Sequence, residues 1–93
     1  MISTHTIKLP ARLGLGEVNP LIAEFSKTSN QDVDIDTTEV THLGTLCLQA
    51  LIAAARAHKA AGTAFSFRNT GEVFTQQLAV FGLTCELVQG GLE

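Results

Sequence analysis

The sequence predicts an α/β fold: a sheet of about four strands, mixed in direction, with helices packed on it. Three observations lead there. Residues 4–9, 32–36 and 63–68 alternate polar and apolar side chains, the period of a half-buried strand. Residues 17–26, 45–61 and 72–81 carry apolar side chains at helical spacing. The two kinds of segment alternate along the chain, an order that calls for a mixed or partly parallel sheet. Ninety-three residues suffice for one domain, 1–93. With 45% hydrophobic residues, five Phe and no Trp or Tyr, its core must be built mainly from Leu, Ile, Val and Ala.

Each element has its own warrant. Residues 4–9 stop at Pro10, which suits an edge strand because proline donates no ladder hydrogen bond. Residues 12–16 allow a short extended piece, weakened by Gly14 and Gly16. In 17–26, Val18, Leu21, Ile22 and Phe25 fall at i, i+3, i+4 and i+7. Pro20 is tolerated only in the first turn, so this helix starts near Gly16 or Glu17. Residues 27–31 form a polar exit. In 32–36, Val33 and Ile35 face one side and three Asp the other, while 37–39 reads as a turn.

Residues 45–61 are the best helix in the chain, rich in Ala and Leu, with a wide apolar surface. Arg56, His58 and Lys59 lie near its C-terminus, where the helix dipole favours cations, and Gly62 is placed as its left-handed cap. After the strand at 63–68, residues 69–71 make a turn in which Thr70 is placed to cap a helix over 72–81. Gly82 ends that helix. Residues 83–88 read as a short final strand or extension, and 89–93 as a frayed tail.

Charge and composition exclude several function classes. The net charge is −3, and no basic run could neutralise several phosphates of a duplex, so nucleic-acid binding is not expected. No polybasic membrane patch is present, and the apolar run from Leu46 to Ala55 falls short of the roughly 20 residues needed to span a bilayer. The first five residues lack the pattern of a signal peptide. Two cysteines make neither a disulfide framework nor a zinc cluster. The expectation is a cytoplasmic protein that needs no cofactor, no metal and no insertion into a membrane.

The stretch from Val33 to Leu51 resembles the central signature of STAS domains, the family of the bacterial anti-sigma factor antagonists. The family pattern is an apolar strand ending in Asp, a Val four residues on, then Asp-Ser-Ser-Gly-Leu opening a helix. Asp36 and Val40 match in type and spacing, and Leu43, Leu48 and Leu51 match apolar positions. Gly62 followed by 63–67 resembles the family's Gly-then-strand, and 78–83 its closing helix and Gly-Leu turn. Gly44 stands where the family has Asp, Thr45 where it has the phosphorylated Ser or Thr, and Leu46-Cys47 where it has Ser-Gly. The resemblance implies a non-enzymatic protein–protein interaction module in bacterial signalling, anti-sigma factor antagonist-like or a chemotaxis-associated adaptor. Its partner would be a regulatory protein such as an anti-sigma factor or a histidine-kinase-like ATPase. A second implication is an accessory subunit of a lipid-transport ATPase, without a phosphorylation cycle. A small domain with wide apolar helices could also form a homodimer.

The surface so implied comprises Thr41, His42, Gly44, Thr45, Leu46 and Cys47, together with exposed parts of the long helix. Thr45 is the candidate phosphoacceptor, because a phosphate at a helix N-terminus adds charge beside free N–H groups. The competing reading makes Thr45 a plain N-cap or interface hydroxyl. Gly44 allows an unusual backbone angle or a close approach. Cys47 with His42 could be a nucleophile and base, its thiol pKa lowered by the helix N-terminus, but no third orienting residue is evident and a small buried Cys is commoner. No catalytic residue is therefore assigned. Asp32, Asp34 and Asp36 read as a solvated face, or Asp36 as a cap on the loop, since nothing completes the oxygen shell of a hard cation. Gly14-Leu15-Gly16 reads as a turn, too short for a phosphate loop.

Overall fold

The computed structural model describes residues 4–28 and 30–91. Parts of the expected N-terminal reading (Met1, Ile2 and Ser3), of the polar exit (Ser29) and of the tail (Leu92 and Glu93) lie outside the described residues. The order is β1 (Thr4–Lys8), β2 (Arg12–Leu13), a 3-10 turn (Leu15–Glu17), α1 (Val18–Lys27), β3 (Asp32–Asp36), β4 (His42–Leu43), α2 (Thr45–Ala61), β5 (Phe65–Arg68), α3 (Glu72–Val80) and α4 (Cys85–Gln89).

The α/β class holds, and the sheet differs from the expected one. Three strands form a sheet in the order β1-β3-β5, all parallel, and β2 pairs with β4, also parallel, as a separate two-stranded ladder. The expected four-stranded mixed sheet is thus corrected. Each strand of the larger sheet reaches the next through a helix, and a helical crossover returns the chain in the direction it left. Among the described residues no hairpin joins two strands.

Right-handed crossovers that advance in one direction, from β1 to β3 to β5, put α1 and α2 on the same face of the sheet. The two helices accordingly pack against each other. Ile7, Leu9, Val33, Ile35 and Phe65 point to that face and are buried. The other face carries Thr4, Thr6 and Lys8 on β1, the three Asp on β3, and Ser66 and Arg68 on β5. The acidic row is tied down by its neighbours. Asp32 Oδ1 accepts from Ala64 N (2.8 Å), and Asp34 Oδ1 from Ser66 Oγ (2.8 Å). Asp36 Oδ1 caps the following turn, accepting from Thr38 Oγ1 (2.5 Å) and Thr38 N (2.9 Å). Those two donors hold its carboxyl below the usual carboxylate range.

Helix α2 is the centre of the core: Cys47, Leu48, Leu51, Ala54 and Ala55 are buried along it. Gly62 ends it in the left-handed region (φ 79°), as its position predicts, and its N–H bonds back to the helix. Helix α1 buries Leu21 and Phe25 but leaves Ile22 half exposed on the rim of a groove against α2.

Three local expectations are revised. Helix α3 is capped by the backbone of Gly71 and not by Thr70; Thr75 Oγ1 donates back to Gly71 O (2.9 Å). Residues 85–89 are helical and not a strand, because Thr84 supplies a cap, its Oγ1 accepting from Leu87 N (3.2 Å). The start of the tail is docked and not frayed. Gln89 Oε1 accepts from Phe67 N (2.6 Å), and Arg56 Nε donates to Gly91 O (2.9 Å). The Gln89 bond occupies one backbone donor on the outer edge of β5.

Candidate functional site

The site is built on the two-residue ladder β2–β4, which delivers the chain to the start of α2. Ala11 O accepts from Thr41 N (2.8 Å) and His42 N (3.1 Å), and Leu13 O accepts from Gly44 N (2.8 Å). Leu43 N points the other way and donates to Gln77 Oε1 of α3 (3.0 Å). Strand β4 is therefore held from both sides, by β2 and by a glutamine side chain. Leu13 and Leu43 anchor the pair in the core.

Gly44 is the N-cap of α2, with no side-chain cap bond. Its backbone (φ −79°, ψ 158°) suits any residue. What demands glycine is space: a Cβ there would lie 2.7 Å from Leu13 O, a backbone atom that cannot swing aside. The close approach, and not an unusual angle, accounts for the glycine. The aspartate of the family pattern does not fit while β2 stays this near.

Thr45 is the first residue of the helix, not its cap, and its side chain is exposed. The first intrahelical bond runs from Leu48 N to Gly44 O (3.0 Å), so the N–H groups of Thr45, Leu46 and Cys47 open toward the helix end. The first turn holds no acidic residue to offset that partial positive charge. Leu46 is 47% exposed, and Leu15, across from it, is 79% exposed. Between them lies an open depression of about 310 Å³, walled by Leu13–Leu15 on one side and by His42 and residues 44–47 on the other.

The sequence-derived set thus separates into surface and support. Thr41, His42, Thr45 and Leu46 reach the surface, and Thr41 Oγ1 donates to Ala11 O (3.0 Å). Cys47, 1% exposed, forms the floor, with Sγ 3.4 Å from Gly14 O. Burial, and then the nearby Glu17 carboxylate, push its thiol pKa up, opposite to the lowering expected from the helix N-terminus. A nucleophile needs the thiolate, so these surroundings disfavour the Cys47–His42 pair as a catalytic couple. Leu15 is the residue that sequence reasoning missed. Its signal was a large aliphatic side chain between two glycines, which predicted only a turn. Among the described residues no group of three or more His, Cys, Asp or Glu converges to hold a metal. No helix among them is long and apolar enough to cross a membrane.

With this geometry in hand, comparison with known proteins adds one finding. A family model described as "Mlab, STAS domain" matches residues 3–89, nearly the whole chain. The chain belongs to the STAS domain family. Neither the curated proteins nor the solved structures yield a match. STAS domains in general are binding modules and not enzymes, and they work through contacts with other proteins. In this STAS domain the helix start that follows Val40 carries Gly44-Thr45-Leu46-Cys47, and the exposed depression lies against it.

Proposed function

We propose that this STAS domain, acting as one unit over 1–93, is a cytoplasmic, non-enzymatic interaction module in bacterial signalling. Its role would be that of an anti-sigma factor antagonist or a chemotaxis-associated adaptor. The observation that carries the reading is the pair of exposed leucines, Leu15 and Leu46, which line one depression together with Thr45. Exposed leucines beside a rigid helix start suit an anchor contact on a partner protein, with Thr41 and His42 as its polar rim. The partner is a regulatory protein, an anti-sigma factor or a histidine-kinase-like ATPase.

Thr45 supplies a switch. A phosphate on its Oγ1 adds close to −2 charge in the middle of this surface. The adjacent N–H groups of α2 accommodate that charge, so the domain itself is not disrupted. The partner's apolar contact to Leu15 and Leu46 is what the charge breaks. A second reading rests on Gly44. With no carboxylate next to the hydroxyl, the surface can serve as a permanent contact, as in an accessory subunit of a lipid-transport ATPase without a phosphorylation cycle.

Affinity capture from a bacterial lysate separates these, comparing the wild type with Leu46→Asp and Thr45→Glu, with identification of the retained protein and intact mass of the bait. A signalling ATPase or anti-sigma factor lost from both variants, with phosphate found on Thr45, supports the switched module. A transport ATPase lost from Leu46→Asp, with the chain unmodified, supports the second reading. Equal retention by Leu46→Asp and wild type overturns the assignment of the surface.

A further inference from the structure

The two edges of the sheet are treated differently. On the outer edge of β5 the Gln89 side chain takes up Phe67 N, and α4 packs against the strand. Among the described residues, none bonds to the backbone groups on the outer edge of β1. In a strand, alternate residues direct both N–H and C=O to the same side. Leu9 N bonds to Asp36 O on β3 (3.0 Å), so Ile7 and His5 also face β3, and Thr4, Thr6 and Lys8 direct their backbone groups outward. An open row of this kind is a template for another strand.

We propose that two copies of this chain pair antiparallel through β1, across a two-fold axis at Thr6. The three strands of each copy then form one six-stranded sheet. In this register Thr6 faces Thr6 of the second copy, and Thr4 faces Lys8 in both directions. Every outward backbone group of Thr4–Lys8 is used, in three mutually bonded pairs. A shift that centres on Lys8 sets lysine against lysine and brings up Pro10, which has no N–H to donate.

Charge favours the same register. Lys8 pairs with Glu39 of its own chain (Nζ–Oε2 2.8 Å) and shares a row with Asp36 and Arg68 in its own sheet. Across the new junction that row continues through Thr4 to Asp32 of the second copy, which β1 pairs in register with Thr4. Lysine thus meets a threonine with an aspartate beyond it, and no like charges stand opposed. Thr–Thr is a favourable cross-strand pair. The contact uses a sheet edge and none of the residues at the start of α2, so it is independent of the proposed function. One five-residue strand pair is well below a standard interface, so the dimer is concentration-dependent.

The test is sedimentation velocity over about 10 μM to about 1 mM, the range in which an edge contact of this size populates a dimer. The wild type is compared with Thr6→Pro and Thr6→Lys, with circular dichroism to verify the fold. Thr6 N–H is not used within the sheet, so Thr6→Pro removes the outward donor without breaking a bond to β3, and Thr6→Lys sets like charges face to face. The expected result is a dimer in the wild type and monomers in both folded variants. Disulfide trapping fixes the register, because facing Cα atoms about 5.5 Å apart can be bridged. Thr6→Cys should link to itself, and Thr4→Cys should link to Lys8→Cys in a mixture but not to itself, with the wild type as control for Cys47 and Cys85. A wild type that stays monomeric throughout, a dimer that survives both variants, or Thr4→Cys self-linking as fast as Thr6→Cys overturns the proposal.

Discussion

Gly44→Ala tests the account of the site most directly. The new Cβ would sit 2.7 Å from Leu13 O, against an ordinary carbon–oxygen contact well above 3 Å. Relief requires β2 and β4 to separate by several tenths of an ångström, which stretches the Gly44 N to Leu13 O bond from 2.8 Å. Overpacking of this kind costs about 1–3 kcal/mol. A weakened backbone hydrogen bond adds about 0.5–1.5 kcal/mol. Against these, replacing glycine in a permitted backbone conformation gains about 0.4–1 kcal/mol through the unfolded chain. The net expectation is a loss of about 1–3 kcal/mol, or a fall in Tm of roughly 4–24 °C for a domain of this size. Urea unfolding with matched m-values measures it. Gly44→Asp should lose at least as much, so restoring the family's residue does not restore the family's site. A Gly44→Ala protein as stable as the wild type would refute the steric argument.

Three further outcomes are expected. Gln89→Ala strips the acceptor from Phe67 N on the edge of β5 and should cost about 1–3 kcal/mol; hydrogen exchange at the Phe67 amide should accelerate more than elsewhere in the sheet. His58, 2% exposed, has Nδ1 2.6 Å from Thr63 Oγ1, and burial lowers its pKa, with Asp32 opposing more weakly. Because the folded value lies below the unfolded 6.5, the unfolded chain binds more protons just below that pH, so stability is full above it and declines as pH falls through it; His58→Gln should flatten this slope in denaturant titrations between about pH 7 and pH 5. In the native protein Cys47, buried and with its thiol pKa raised, should resist a thiol reagent at neutral pH and react only on unfolding; fast native labelling, located by mass spectrometry, would contradict the buried floor.

The candidate site was legible to different depths. Thr45, His42 and Leu46 could be placed on a surface at a helix start because the apolar period of 45–61 marks where that helix begins. The capping atom could not be told from sequence, since threonine and glycine both serve at that position. The choice fell to Gly44 because β2 passes within reach of its N–H. Leu15 was hidden for a related reason: Gly14-Leu15-Gly16 carries no period, and only the fold brings it opposite Leu46. Residues 85–89 misled because so short a segment offers too few turns to show a helical period.

Local chemistry is what the amino-acid order determined by itself. A side-chain period assigns a residue to a face, which set Val33 and Ile35 inward and the three Asp outward, and Gly62 ends α2 because a left-handed cap needs no partner from elsewhere. Tertiary structure decided what each edge and surface meets. Strand direction follows from helices crossing between strands, the narrow space at Gly44 from a carbonyl 31 positions earlier in the chain, and the partner of Phe67 N on the edge of β5 from a glutamine on α4. These depend on distances between segments remote in sequence, and no local pattern encodes such distances.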